Sequence, residues 1–239
     1  MKIRYLTIFL GLLFCNSLSA QQTKLADFRW ELIEGTPAEE IVHSVKTKSQ
    51  FDKQLRRTSL KGPIGLSIPQ SATKDKTPAF MSWYKITYGG GDQENRLKIQ
   101  DAISDKSYRV QIGEAKYFLS VAQRIETGRP KDEDKSLDLF KAYEIKLDSK
   151  QDAKIKRSET FFGGKEATAV PAFLCVPVEE SHHQETFPIK NDSRCLVVYK
   201  CNDSILAKKS SLTIIDQFGL HRVQTIRSEL VCVEAIILE

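Results

Sequence analysis

Apolar residues along this chain recur with a period of two. Leu97, Ile99 and Ile103 share one parity, as do Leu212 and Ile214. Phe118-Leu119-Ser120-Val121 and Phe173-Leu174-Cys175-Val176 are short apolar runs. Breakers separate such runs: Gly89-Gly90-Gly91-Asp92, Gly163-Gly164 and Asn202-Asp203-Ser204. Alternation between breakers predicts strands, and the fold class it predicts is all-β. Phe218-Gly219 suits a turn in which glycine takes a positive φ. One stretch, Pro37 to Ser44, has helix signals. Thr36 can cap it, Pro37 fits the first helical position, and Glu39-Glu40 suit the dipole.

The pattern also repeats at long range. Leu97-Lys98-Ile99-Gln100-Asp101-Ala102-Ile103 parallels Leu212-Thr213-Ile214-Ile215-Asp216-Gln217-Phe218, and each is followed by Arg-Val-Gln (Arg109–Gln111, Arg222–Gln224). Aromatic anchors fall at Trp30, Tyr84, Tyr143 and Tyr199, spaced 54, 59 and 56 residues. Closing strands fall at Leu66, Leu119, Leu174 and Val231, spaced 53, 55 and 57. Two landmarks with one period predict four tandem repeats of about four strands each. So few strands cannot bury a core alone, so repeats must share cores. Two arrangements fit. Repeats pair into sandwich- or barrel-like units, 21–127 holding repeats one and two and 128–239 holding three and four. The alternative is a four-bladed β-propeller. Ser71–Thr77, Thr127–Lys135 and Glu179–Ser193 are the most polar segments and suit exposed connectors.

The N-terminus adds a location. Lys2 and Arg4 precede the apolar run Tyr5–Cys15, and Ser17-Leu18-Ser19-Ala20 suits signal peptidase. Residues 1–20 are therefore expected to be a signal peptide, with a secreted or periplasmic product that could associate with the cell surface. No later run is apolar for the roughly 18 residues a membrane helix needs. Of 36 basic residues, loss of Lys2 and Arg4 leaves 34 against 31 acidic, a charge of +3. That charge forms no basic stripe with interleaved aromatics, so no nucleic-acid partner is expected. Cys175, Cys195, Cys201 and Cys232 remain after cleavage, without a C-x-x-C pair. An even count in an exported chain predicts two disulfides.

Leu174-Cys175-Val176-Pro177-Val178, Cys195, Tyr199-Lys200, Asp216-Gln217-Phe218-Gly219 and Leu230-Val231-Cys232-Val233 form an ordered set. The set resembles an uncharacterised family of bacterial extracellular tandem repeats, a domain of unknown function. The likeness is close over about residues 170–235; earlier copies keep the pattern without the cysteines. The resemblance implies a β-repeat fold, an exported location and a varying repeat number, and brings no chemistry. Four cysteines allow three pairings. If the positions of Cys201 and Cys232 face each other within one repeat, those two pair and Cys175 is left with Cys195. That second spacing is the one the resemblance also implies.

The search for chemistry is largely negative. His182 and His183 sit beside Glu179, Glu180 and Glu185, residue types that ligate divalent metals. Adjacent residues of a strand point to opposite faces, which works against a shared metal, so no metal and no cofactor is expected. His221 follows the Phe218-Gly219 turn and fits a hairpin surface. No Gly-x-Ser-x-Gly elbow occurs, and neither Gly89-Gly90-Gly91 nor Gly163-Gly164-Lys165 has a phosphate loop's context. The expectation is a non-catalytic surface or envelope module whose partner is a protein or glycan. The alternative is a hydrolase, metal-dependent or not, built from Glu179, His182, His183 and a distant acid.

Overall fold

The computed structural model describes residues 28–35, 42–69, 80–90, 95–104, 106–125, 137–149, 153–156, 166–206 and 211–238. The expected signal peptide, the connectors 71–77 and 127–135, and the Gly163-Gly164 turn lie outside them. Among the described residues thirteen strands make one antiparallel sheet. They are β1 Phe28–Gly35, β2 Val42–Ser49, β3 Arg56–Pro69, β4 Phe80–Tyr88, β5 Arg96–Asp101, β6 Tyr108–Arg124, β7 Leu139–Leu147, β8 Ala153–Lys156, β9 Glu166–His182, β10 Glu185–Phe187, β11 Cys195–Leu206, β12 Ser211–Asp216 and β13 Gly219–Leu238. The all-β expectation holds, with no helix among the described residues. Val42, His43 and Ser44, read from sequence as the end of a helix, are extended in β2. Val42, His43 and Ser44 pair with Lys61, Leu60 and Ser59 of β3; the rest of the expected helix, with its capping residues, lies outside the described residues.

Among the described residues each repeat supplies an anchor (β1, β4, β7, β11), a middle strand (β2, β5, β8, β12) and a long closing strand (β3, β6, β9, β13), and the third repeat adds the short β10. A closing strand of 14 to 20 residues does the work of two, in keeping with the expected repeat of about four strands. Anchors and closing strands alternate around a closed ring of eight: β1–β3–β4–β6–β7–β9–β11–β13, with β13 pairing back to β1. β6 and β7, of the second and third repeats, are ladder neighbours. A propeller would need separate blades, and the continuous ladder rules that alternative out.

The register tests the repeat alignment residue by residue. Tyr84 lies opposite Phe118, Tyr143 opposite Leu174 and Tyr199 opposite Val231. In the first repeat Leu66 lies opposite Glu31, not Trp30. The aligned anchors are thus Glu31, Tyr84, Tyr143 and Tyr199, and the closing positions are Leu66, Phe118, Leu174 and Val231. Trp30 and Leu119 are each displaced by one from the positions assigned to them by sequence. Both are large apolar residues beside the true site, so hydropathy alone could not place them.

Just before each closing position the register slips. Glu229 is skipped in β13, Lys116 in β6 and Ala172 in β9, and β3 slips across Gly62-Pro63-Ile64. An extra residue in one strand of a pair bends it and increases its twist. Beyond the bend the first half of each closing strand makes a hairpin with its own middle strand. Three middle strands then reach a second partner two repeats away. β2 pairs with the end of β9, β5 with the end of β13, and β12 with the end of β6. Repeats one and three, and two and four, are therefore laced together. Close approach at the bend fixes Gly89: a Cβ there would sit 2.0 Å from the Arg57 carbonyl oxygen, at a φ of +81°.

Alternation sends one face of the ring strands inward. Met81, Trp83, Leu119, Phe140, Ala142, Cys175, Leu196, Val198, Leu230 and Cys232 pack together there, and the middle strands contribute nothing to this cluster. The Trp83 indole N–H donates to Ser67 Oγ at 2.7 Å across the ladder. The opposite face is covered by the middle strands. Val45 of β2 and Ile99 of β5 join Tyr84, Phe118, Tyr143, Leu174, Tyr199 and Val231. Ile214 of β12 covers Leu66, Phe80 and Ala122.

The cysteines follow the same alternation. Cys175 and Cys232 face into the ring, whereas Cys195 and Cys201 lie on the outer face. All four are buried, and no disulfide joins them. The expected pairs, Cys175–Cys195 and Cys201–Cys232, would each have to cross the sheet, with Cβ vectors pointing apart. Cys201 and Cys232 have opposite parity in the ladder, with Val198 and not Cys201 opposite Cys232. Burial and the nearby Asp192 push the Cys195 thiol up to about 12.

Lys141 is wholly buried on the outer face, with Nζ 3.2 Å from Asp52 Oδ2. Burial lowers the Lys141 pKa, while Asp52 opposes that shift. Asp52 also accepts from the Ser49 backbone N–H and hydroxyl, each at 2.9 Å, and has Arg56 within 3.5 Å. It therefore stays partnered without the lysine. Lys141→Met is expected to cost about 1–3 kcal/mol, measured by urea unfolding, because Asp52 stays buried with its Ser49 and Arg56 contacts but loses its ammonium partner.

Candidate functional site

The turns after β2, β5 and β12 are each held by one polar residue that serves two purposes. Asp101 Oδ1 accepts from the backbone N–H of Ile103 and Ser104 at 2.8 and 2.7 Å, closing its own turn. Its Oδ2 accepts from the hydroxyls of Tyr108 and Tyr199, both at 2.6 Å. Asp216 repeats this, accepting from Phe218 N–H at 2.9 Å and from the Tyr84 hydroxyl at 2.7 Å. In the first repeat the role passes to Ser49. It meets the Tyr143 hydroxyl at 2.8 Å, and since its own proton goes to Asp52, Tyr143 donates. Tyr84, Tyr143 and Tyr199 each belong to a repeat two steps from the turn they meet, whereas Tyr108 belongs to the same repeat as Asp101. Burial, with the neighbouring carboxylate, drives the hydroxyls of Tyr84, Tyr108, Tyr143 and Tyr199 far above the ordinary phenol range. All four stay neutral donors. The Asp-Gln-Phe-Gly segment is thus a clasp between repeats. Gly219 completes it with a φ of +130°, as its place in the turn predicts.

One of the three clasps differs from the others. All four histidines of the chain gather around Asp216 and Phe218. His221 Nε2 is 3.2 Å from Asp216 Oδ1 and 3.1 Å from the Tyr84 hydroxyl. The His43 ring stacks on Phe218 at 4.5 Å and meets Tyr84 edge-on at 5.9 Å. His182 meets Phe218 edge-on at 5.7 Å, and His183 lies against His182 at 3.9 Å. The cluster draws on all four repeats: β2, β4, the β9–β10 turn and the β12–β13 turn.

The β9–β10 turn explains why sequence misjudged its histidines. His183 and Gln184 have φ of 48° and 71°, both left-handed, in a two-residue turn of a tight hairpin. Leaving the strand at His183 swings its ring back over His182, so the opposite-face argument does not apply. The segment 179–193 is also not wholly a connector, since it completes β9 and forms β10. Among the candidate ligands, Glu185 is exposed and Glu180 is buried on the outer core face. Among the described residues no three His, Cys, Asp or Glu side chains hold a metal-binding arrangement. His221, read as a hairpin surface residue, is half-buried at the centre of the cluster. Period-two parity could have placed His43 and Val45 on one face of β2. Nothing in sequence linked His43 to Phe218.

Burial lowers the His43 pKa; Asp216 opposes this, and His221 and His182 add to it. Burial also lowers the His182 pKa, with His183 contributing. Glu180 stands one step down β9 from His182, on the same face. Burial alone raises its carboxyl to about 7, and neither carboxyl oxygen has a hydrogen-bond partner among the described residues. A raised acid holds its proton in the folded chain, so its contribution is full below the ordinary carboxylate pKa and is lost as pH rises through about 7. Glu180→Gln is expected to be more stable than the parent chain at pH 8 and to match it near pH 5, read from melting temperatures at the two pH values.

A family model described as a repeat of unknown function matches residues 80–234. That span holds the second, third and fourth repeats and three of the four histidines. No curated protein and no solved structure matches the chain.

Proposed function

From the premise that this chain belongs to the family of repeats of unknown function DUF7450, we propose that it is a non-catalytic, exported interaction module that binds a protein or glycan of the cell envelope. One observation carries this reading. The side chains able to do chemistry are used to hold the repeats together. Tyr84, Tyr143 and Tyr199 are tied to Asp216, Ser49 and Asp101, and Lys141 is buried against Asp52. What the fold offers to a partner is a wide multi-repeat surface. Export rests on the order of charged, apolar and small residues in 1–20. Intact mass of the exported chain should begin at Ala20 or Gln21.

The deciding experiment is an envelope pull-down with the mature chain, run beside activity screens on ester, glycoside, peptide and phosphate substrates. A saturable envelope protein or glycan with no turnover supports the reading. Turnover lost on His182→Ala or His183→Ala would replace it with the hydrolase alternative.

A further inference from the structure

We propose that the Asp216–Phe218 turn is an acid-released clasp: protonation of the histidines packed around it frees the turn and unlaces the second repeat from the fourth. Three turns of equivalent position tie a tyrosine two repeats away, and two of them, at Ser49 and Asp101, have no histidine partner among the described contacts. The third has every histidine of the chain around it. A turn that needed only mechanical strength would match its siblings.

The charges facing the clasp can be named element by element. β2 brings His43, β4 brings Tyr84, and β6 brings Phe118, which does not titrate. β9 brings His182 and, one step away, Glu180; the turn after it brings His183. The clasp itself carries Asp216 and His221. The Asp216 side chain is fully buried and bonded to Tyr84, His221 and Phe218 N–H. Protonating His221 adds a favourable ion pair. Protonating His43 and His182 as well places three or more positive charges around one carboxylate, with His43 stacked on an apolar ring. Glu180 offers no relief, because it is itself protonated at those pH values.

The sign follows from linkage. His43 and His182 have folded pKa values below the ordinary 6.5, so the released form binds more protons. The closed clasp is stable above that range and weakens as pH falls through and below it. Releasing Phe218 would also expose the edge of β12 that now pairs with β6. The proposal does not depend on the identity of any envelope partner.

Hydrogen exchange read by mass spectrometry on the full mature chain tests it, at pH 7.5 and pH 5.0 with intrinsic rates corrected. Segment 212–221 carries the clasp, and segment 97–108 is its sibling without histidine. Protection of 212–221 is expected to fall at least tenfold more than that of 97–108 at pH 5.0. In the double variant His43→Gln/His182→Gln the difference should shrink below threefold. Equal loss in both segments, or an unchanged difference in the double variant, overturns the proposal. If the double variant does not melt cooperatively at pH 7.5, the single variant His182→Gln replaces it. That variant must show a reduced difference, and full retention of the wild-type difference overturns the proposal.

Discussion

Trp83→Ala is expected to lower the unfolding free energy by about 3–5 kcal/mol, the range for removing a large aromatic side chain from a closed core. Trp83 has no solvent exposure and faces into the ring. Around it stand side chains of other ring strands, Tyr117 edge-on at 5.6 Å among them. No loop can swing in to refill the space, because the surrounding backbone is tied in ladders on both sides. The substitution also removes the donor to Ser67 and leaves that buried hydroxyl without this bond. Leu220→Ala, at a residue 58% exposed, serves as the control and should stay within about 0.5 kcal/mol. Urea unfolding of both variants gives the comparison. A Trp83→Ala loss under about 1 kcal/mol would mean that the inner face is not a packed core.

Asp101→Ala should rank beside it, at about 3–4 kcal/mol. The carboxylate accepts four hydrogen bonds: two from the turn backbone and two from the hydroxyls of Tyr108 and Tyr199. Removing it orphans several buried donors at once, and each costs about 1–3 kcal/mol when water cannot reach it. Burial of the tyrosines rules out relief by ionisation, since their hydroxyls are driven far above the phenol range. A double-mutant cycle separates the causes. Tyr199→Phe alone should cost about 1 kcal/mol. On the Asp101→Ala background it should cost less or nothing, since the orphaned hydroxyl goes with it. Strict additivity would show that Asp101 acts through its own turn alone and that the tether to the fourth repeat contributes nothing.

What could be read from sequence divides along the line between local and non-local information. The period-two alternation around Leu97–Ile103 and Leu212–Phe218 gave strands, and the 53–59-residue recurrence gave four copies; both appear in the ladder. The anchors Tyr84, Tyr143 and Tyr199 fell on the right residues because an aromatic beside a polar Lys or Glu is a distinctive landmark. Trp30 misled because it is aromatic too, while the aligned position holds Glu31. The disulfide scheme needed the parity of Cys201 relative to Cys232, and that parity depends on strand pairing which one sequence does not display. The histidine cluster was invisible for the same reason. His43 and His221 lie 178 residues apart, and only the lacing of opposite repeats brings them to one turn.

That lacing also governs the order in which the chain can acquire structure. Two of the middle strands find their second edge only when a closing strand two repeats further on exists: β2 waits for β9 and β5 waits for β13. The ring itself waits longest, because β1 seals against β13. At about 5–20 residues per second of synthesis, the roughly 200 residues between them take on the order of 10–40 s to emerge. During that interval early strands carry open edges, the feature most prone to wrong pairing. Contacts this distant in sequence place the chain among slow folders, and they bind the fate of all four copies together. A tandem array whose units only touch their neighbours can fray from an end. This one should form late, and then nearly all at once.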